Sequence, residues 1–340
     1  MKNVLCVILA MVLLMVPSAA CQSPAATAGN KPPVVKSFED MAAPVETKKV
    51  EDIEPLPVYP ITVEDDLGRK VTINKMPAKI ISLAPSNTEI LFALNLGDRI
   101  IGVTDYCDYP EEAKIKTRVA GYSTPDLEKL VSMQPDLVVA ESIHEKTVLP
   151  ALERLGFTVY VASASRIETI LNDISVLGRI NGKTRQANNV ISAMNLKINS
   201  VVDKTRGLSG AQRLRVLYLT WNNPMWTMGA NTYINDIIKK AGGVNIYEAD
   251  FEKSRAVSLE SIIAKNPQVI FVSGMGTTGD VVYKAVKDEV RLYSVEASVN
   301  NHIFKINDAN LIERPGPRAA DGLIEVAKMV HPEIFPGTKP

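Results

Sequence analysis

Beyond residue 58 the chain alternates between two rhythms of apolar residues. Short apolar runs read as strands, and the stretches between them return an apolar residue every three or four positions, as one face of a helix does. Ile61-Thr62-Val63 and Val71-Thr72-Ile73 alternate around Asp66-Leu67-Gly68, which predicts a hairpin. Lys79–Leu83 reads as a strand. Ala84-Pro85-Ser86-Asn87 reads as a loop from which Ser86 or Asn87 caps a helix through Glu89–Leu94, ended at Gly97. Strand Ile100–Val103, a helix near 145–155 and strand Thr158–Val161 follow. Thr184–Arg206 has neither Pro nor Gly, and Val190, Ile191, Met194, Ile198, Val201 and Val202 keep a helical period, so one long amphipathic helix is expected. Further on come strand Leu214–Leu219, a polar and aromatic loop Thr220–Gly229 and a helix Tyr233–Ala241 closed by Gly242-Gly243. Strand 269–273, a Gly-rich loop 274–276, a helix near 280–288, strand 302–306 and a helix over 317–330 complete the series.

One unit occurs twice. Residues 126–140 read D-L-E-K-L-V-S-M-Q-P-D-L-V-V-A and residues 258–272 read S-L-E-S-I-I-A-K-N-P-Q-V-I-F-V, so Glu260 follows Glu128 by 132 residues. Asp126 and Ser258 are good N-caps, Glu128 and Glu260 fall in the first turn at the positive end of the helix dipole, and Pro135 and Pro267 stop each helix. The apolar runs that follow suit strands buried on both faces of a parallel sheet.

The expected fold is α/β, with two lobes of mostly parallel sheet joined by one long, rigid helix that limits their relative motion. The parts are a leader 1–20, a tether 21–58, an N-terminal lobe 59–182, the helix 183–208 and a C-terminal lobe 209–336. Ligands of such sheets bind at the carboxyl ends of strands, so the loops 84–88, 104–110, 120–125 and 141–145 form the candidate rim in the first lobe.

Composition narrows the function. Lys+Arg and Asp+Glu both number 38, which gives no basic surface for nucleic acid or membrane. His144, His302 and His331 are scattered without metal-ligand spacing, and no metal site of the protein's own is expected. Gly274-Met275-Gly276 lacks the third Gly of a dinucleotide fingerprint, and no nucleophile–base pairing stands out, so no catalysis is expected. Lys2, the apolar run Val4–Val16 and Pro17-Ser18-Ala19-Ala20 make a secretory signal. Ala19-Ala20-Cys21 resembles a lipobox with Cys21 as the lipidated N-terminus; Ser18 departs from the usual Leu, which leaves plain signal cleavage open. The Pro- and Ala-rich tether, as a flexible coil, reaches on the order of 35 Å.

Ser82-Leu83-Ala84-Pro85-Ser86-Asn87-Thr88-Glu89, Asp105-Tyr106-Cys107-Asp108-Tyr109-Pro110, both copies of the repeat and Arg314-Pro315-Gly316-Pro317-Arg318 resemble the substrate-binding proteins of bacterial ABC importers for vitamin B12 and ferric chelates. The resemblance runs from about Val63 to Phe335. It implies the helical-backbone type of periplasmic binding protein, with ligand held between the lobes. It implies a monomer, outside the cytoplasm or anchored by lipid to the outer face of the cytoplasmic membrane. It implies that Glu128 and Glu260 dock on arginines of the permease, which works with an ATPase. Tyr106, Tyr122 and Trp226 match aromatics around a corrin, with Trp221 in the same loop; each also suits core packing. Ser254 stands where the B12 pattern has Trp, and Asn310 where it has an acid, with Asp308 close by. The ligand is then a cobalt corrinoid that arrives with its metal coordinated, and the protein carries no cofactor of its own. A ferric siderophore or haem is the alternative, in which Arg255, Arg314 and Arg318 meet anionic oxygens. Arg318 equally suits a role at the start of the last helix. An extracytoplasmic enzyme and a surface scaffold are the other function classes. Cys107 is a free thiol that suits a buried position.

Overall fold

The apolar runs become strands sealed on both faces, and the periodic stretches become the helices that seal them. The computed structural model describes residues 56–274 and 278–336, all in one compact unit of the chain. The leader, Cys21, the tether as far as residue 55, and Met275 and Gly276 of the Gly-rich loop lie outside the described residues.

The first lobe opens with the antiparallel hairpin β1 (Ile61–Glu64) and β2 (Lys70–Ile73), turned at Gly68 with φ +73°. Then come β3 (Ile80–Ser82), α1 (Pro85–Ala93), β4 (Ile100–Val103), α2 (Leu127–Met133), β5 (Leu137–Ala140), α3 (Val148–Arg154), β6 (Val159–Val161) and α4 (Ile167–Ile180). The sheet has the order β4-β3-β5-β6, all parallel.

Helix α5 (Thr184–Thr205) follows, 22 residues long, or about 33 Å at 1.5 Å per residue. It packs against α4 of the first lobe and, further along the chain, against the last helix of the second. Ala187, Met194, Ile198 and Val201 form its buried stripe. The α4 contact is close: a Cβ on Gly178 would lie 2.5 Å from that of Ala187, so a larger residue at 178 forces the two helices apart.

The second lobe contains β7 (Arg215–Leu219), β8 (Trp221–Asn222), β9 (Met225–Thr227), α6 (Tyr233–Lys240), β10 (Val244–Asn245), β11 (Arg255–Val257) and α7 (Leu259–Lys265). It continues with β12 (Val269–Val272), α8 (Thr278–Asp288), α9 (Glu296–Val299), β13 (Ile303–Lys305), α10 (Asn310–Glu313) and α11 (Ala319–Val330). Its main sheet runs β10-β7-β12-β13, again parallel. Numbered by turn in the chain, the strands of both lobes stand in the order 2-1-3-4. The expected two-lobed α/β architecture is present.

The repeated unit folds alike in both lobes. The Asp126 side chain accepts the Lys129 N–H at 3.0 Å, and the Ser258 hydroxyl that of Ser261 at 3.2 Å. Each helix stops one residue before its proline, at a left-handed residue, Gln134 (φ 48°) or Asn266 (φ 43°). The β5 and β12 strands that follow are buried along their whole length.

Three local expectations are corrected. Ser86 and Asn87 do not cap α1; they lie inside it, because Pro85 at its first position fixes a helical φ and has no N–H to lose there. The helix ends at Ala93, ahead of left-handed Asn95 rather than at Gly97. Thr220–Gly229 is not an open loop: β8 and β9 form a hairpin over the cis Asn223-Pro224 peptide, and β11 joins it as a third antiparallel strand. Met225 and Thr227 point to the buried side and Trp226 to the exposed one, an alternation too short to be separated from a turn in the sequence. Helix α4 had no counterpart in the sequence reading, although its Ile167, Ile170, Ile174 and Leu177 are buried with helical spacing.

Candidate functional site

The carboxyl ends of the two sheets face each other across a cavity of about 590 Å³. The first lobe lines it with the start of α1 (84–86), Tyr106, the 121–124 loop and Glu141; the second with Tyr218, Thr220, Met228, the start of α6 (232–234) and 312–315. Glu141 follows β5 and Thr220 follows β7. Parallel sheets of this order open where neighbouring connections leave in opposite directions, and ligands collect there. The volume is in the range of small-molecule pockets.

Local hydrogen bonds fix the first-lobe wall. The buried Asn87 amide donates to the carbonyls of Ala140 at 2.8 Å and Ala162 at 3.2 Å, which ties α1 to the ends of β5 and β6. Arg118 donates to the carbonyls of Thr104 at 2.9 Å and Cys107 at 2.8 Å and so holds the loop that carries Tyr106. Cys107 is fully buried, its thiol against the hydroxyls of Thr88 and Thr104, and it does not line the cavity.

Tyr122 is held from two sides. Its hydroxyl donates to Glu141 Oε2 at 2.6 Å, and its carbonyl accepts from His144 Nε2 at 2.6 Å. His144 Nδ1 accepts the Glu141 N–H at 3.1 Å, which fixes the Nε2–H tautomer, and the two rings meet edge-on at 5.9 Å. Burial alone would raise the Glu141 carboxyl, but hydrogen bonds from Ser163, Tyr122, the Ile143 N–H and Ser142 outweigh it and hold the carboxyl below its ordinary value. The Tyr122 phenol is pushed up by burial and by the Glu141 charge, so it remains a proton donor. In the opposite wall Glu313 meets Ser273, Tyr218 at 3.4 Å and Thr220 at 3.5 Å. Burial raises its carboxyl above its ordinary value despite those bonds.

Next to the cavity the lobes are bound by charge. Glu89 of α1, with its side chain 2% exposed, receives two bonds from Arg318, Nε to Oε2 at 2.8 Å and Nη2 to Oε1 at 2.6 Å. Arg314 Nη1 is 3.6 Å from the same carboxylate and 2.5 Å from Asp108 Oδ1, and its Nη2 donates to the Tyr106 carbonyl at 3.3 Å. The Arg318 guanidinium lies 3.9 Å from the Tyr109 ring centre and bonds Asp308 at 3.1 Å.

The expected binding residues separate into two groups. Tyr106 and Tyr122 line the cavity. Trp221, Trp226, Arg255, Asp308 and Asn310 do not. Trp221 and Trp226 are direct partners across β8 and β9 and so share one face, 45% and 37% exposed. Thr220, next to Trp221, and Met228, two residues beyond Trp226, line the cavity, which places the pair beside its second-lobe edge. Arg255 is exposed on β11, 5.8 Å from the Phe251 ring. Asp308 is engaged by Arg318 and by the Asn310 N–H at 3.0 Å, a turn ahead of the lining residues 312–315. Glu128 and Glu260 are exposed in the first turns of α2 and α7. A helix packed on the strand it feeds runs antiparallel to it, so both glutamates lie on the side of the strand carboxyl ends, where the cavity opens. Glu260 is 4.0 Å from Arg291, and local hydrogen bonds hold its carboxyl below the ordinary value. Glu141 and Glu313 were not singled out from the sequence. The signals were a carboxylate directly after a buried strand and another directly before Arg314-Pro315-Gly316-Pro317-Arg318.

Two parallel α/β lobes, a helix packed on both and a cavity between facing strand ends define a two-lobed solute-binding protein. The family model described as periplasmic binding protein matches residues 80–309, and the chain belongs to that family. It is 31% identical over 283 residues to YvrC of Bacillus subtilis, an uncharacterized ABC transporter substrate-binding lipoprotein, covering 82% of this chain and 88% of that one. It is 28% identical over 256 residues to the vitamin B12-binding protein of Vibrio parahaemolyticus, covering 75% and 90%. The crystal structure of the periplasmic vitamin B12 binding protein BtuF of Vibrio cholerae superposes with a TM-score of 0.65 at 27% identity, over 77% of this chain and 99% of that one.

Proposed function

We propose that this protein captures a corrinoid in the interlobe cleft outside the cytoplasm and delivers it to the permease and ATPase of an ABC importer. The observation that carries this reading is the cleft wall: Tyr122 is pinned at hydroxyl and carbonyl, with Tyr106 near it, in a chain whose relatives include vitamin B12-binding proteins. A ring held in one orientation is a preorganised stacking surface for a planar macrocycle, because little ordering entropy is lost when the ligand lands. The ligand carries its own metal, and the protein binds without catalysis, as a monomer. The ferric-chelate alternative rests on Arg255, Arg314 and Arg318. Arg314 and Arg318 are committed to Glu89, Asp108 and Asp308, which leaves few cations for an anionic chelate and favours the corrinoid.

Glu128 and Glu260, exposed on the cavity side of each lobe, form the permease docking pair in this reading, where opposite charge steers and registers the partner. Cys21 is the lipid anchor, and Cys21→Ala moves the protein from membranes to the soluble fraction. The ligand reading is tested by titrating the purified protein with cobalamin, cobinamide, haem and ferric siderophores, followed by tryptophan quenching and calorimetry. Saturable one-to-one binding of the corrinoids is expected; no corrinoid binding, with tight binding of haem or a siderophore, overturns it.

A further inference from the structure

Two carboxylates line the cleft, one from each lobe, and their hydrogen bonding differs. Glu141 has both oxygens occupied: Oε1 accepts from Ser142 at 3.0 Å and Ser163 at 2.6 Å, and Oε2 from Tyr122 at 2.6 Å and the Ile143 N–H at 3.2 Å. Glu313 takes its three side-chain donors, Ser273, Tyr218 and Thr220, on Oε1 alone. Its Oε2 has no hydrogen-bond partner among the described residues, and it is not one of the sealed, unpartnered polar atoms; the residue itself lines the cavity. Arg314 is the other charged residue of the lining, and its guanidinium is held by Asp108, Glu89 and the Tyr106 carbonyl. The cleft therefore offers an incoming ligand an open, partly desolvated acceptor and no open guanidinium.

Resting on the corrinoid reading above, we propose that Glu313 is a specificity-determining residue. Its Oε2 accepts an N–H from an uncharged carboxamide on the rim of the macrocycle, and the cleft thereby selects carboxamide-bearing corrinoids over their carboxylate counterparts. Hydrogen bonds to a charged acceptor are the stronger kind. A site built to receive an N–H rejects an analogue that lacks it, because the buried acceptor is left unpaired. A ligand carboxylate in the same place adds repulsion between like charges with little water to screen it.

The experiment measures two probes by calorimetry at neutral pH: dicyanocobinamide, and cobyrinic acid in its dicyano form, the same ring with carboxylic acids in place of the side-chain amides. The wild-type protein is expected to prefer cobinamide by about a hundredfold or more. Glu313→Gln, which removes the charge and keeps the shape, narrows that ratio by about tenfold or more. Glu141→Gln loosens Tyr122, weakens both probes alike and leaves the ratio unchanged. Should Glu313→Gln fail to fold, Glu313→Asp serves instead: it keeps the charge but withdraws it by one methylene, so cobinamide binding falls while cobyrinic acid stays excluded. An unchanged ratio in Glu313→Gln, or unchanged cobinamide binding in Glu313→Asp, overturns the role of Glu313 and leaves the corrinoid reading standing. Equal affinity of the wild type for the two probes does the same. Binding of neither probe by the wild type overturns both.

Discussion

The two lobes share a scaffold and differ where they face the ligand. Both sheets stand in the order 2-1-3-4. Both lobes enter a central strand through a side-chain-capped helix that ends at a left-handed residue, Gln134 or Asn266. Between the strand ends the likeness stops. The first lobe uses its cleft carboxylate, Glu141, to hold Tyr122; the second leaves one oxygen of Glu313 open. The first lobe carries a plain hairpin and the second a three-stranded sheet with two exposed tryptophans. The scaffold is set by burial, which tolerates little change, whereas loops at strand ends change without disturbing the core, so ligand chemistry resides there.

The largest effect should come from treating the lobes as a matched pair. Reversing both Glu128 and Glu260 to Lys is expected to abolish uptake and permease-stimulated ATP hydrolysis with ligand affinity unchanged, and either single reversal to leave a partial defect. Full uptake by the double variant would leave both residues as helix-start carboxylates, worth about 0.3–1 kcal/mol each through the helix dipole.

The second test separates the lobes. Glu89→Gln leaves the Arg314 and Arg318 guanidiniums, 9% and 17% exposed, without their shared carboxylate. Breaking a buried pair on one side typically costs about 3 kcal/mol, and denaturant titration should read a loss of that order. A loss under about 1 kcal/mol would mean that α5 alone sets how the lobes stand.

The third contrasts the aromatics of the two walls. Tyr122→Ala should weaken cobalamin binding by about 2 kcal/mol, some thirtyfold in Kd, as for an anchor in a desolvated site. Trp226→Ala, beside the cavity and partly exposed, should cost less than about threefold. The reverse ranking by calorimetry would move the binding surface to the tryptophan sheet.

The smallest effect tests the scaffold itself. Asp126→Ala and Ser258→Ala each remove one N-cap bond and should each lower stability by about 1 kcal/mol. Clearly unequal losses in denaturant melts would show that the two copies are alike in sequence pattern but not in energetics.

What the sequence determined by itself is what short-range physics controls. Caps act over three residues, buried strands declare themselves as unbroken apolar runs, and the proline stops are local, so the repeated unit, the α5 helix and the paired α/β lobes were all legible. The rim loops around Tyr106, Tyr122 and Glu141 followed from the alternation of strand and helix, which implies a parallel sheet whose ligands collect at the strand carboxyl ends. Where two local signals competed, the reading went wrong: Pro85 started α1 before Ser86 or Asn87 could cap it, and Pro224 disguised a hairpin as a loop. The tertiary structure alone decided which charges are free. Arg318 and Glu89 are 229 residues apart, and no periodicity links them. Only packing brought Arg314 and Arg318 onto Glu89, filled every acceptor site of Glu141 and left one oxygen of Glu313 open, because a side chain's partners depend on which distant segments share its desolvated space.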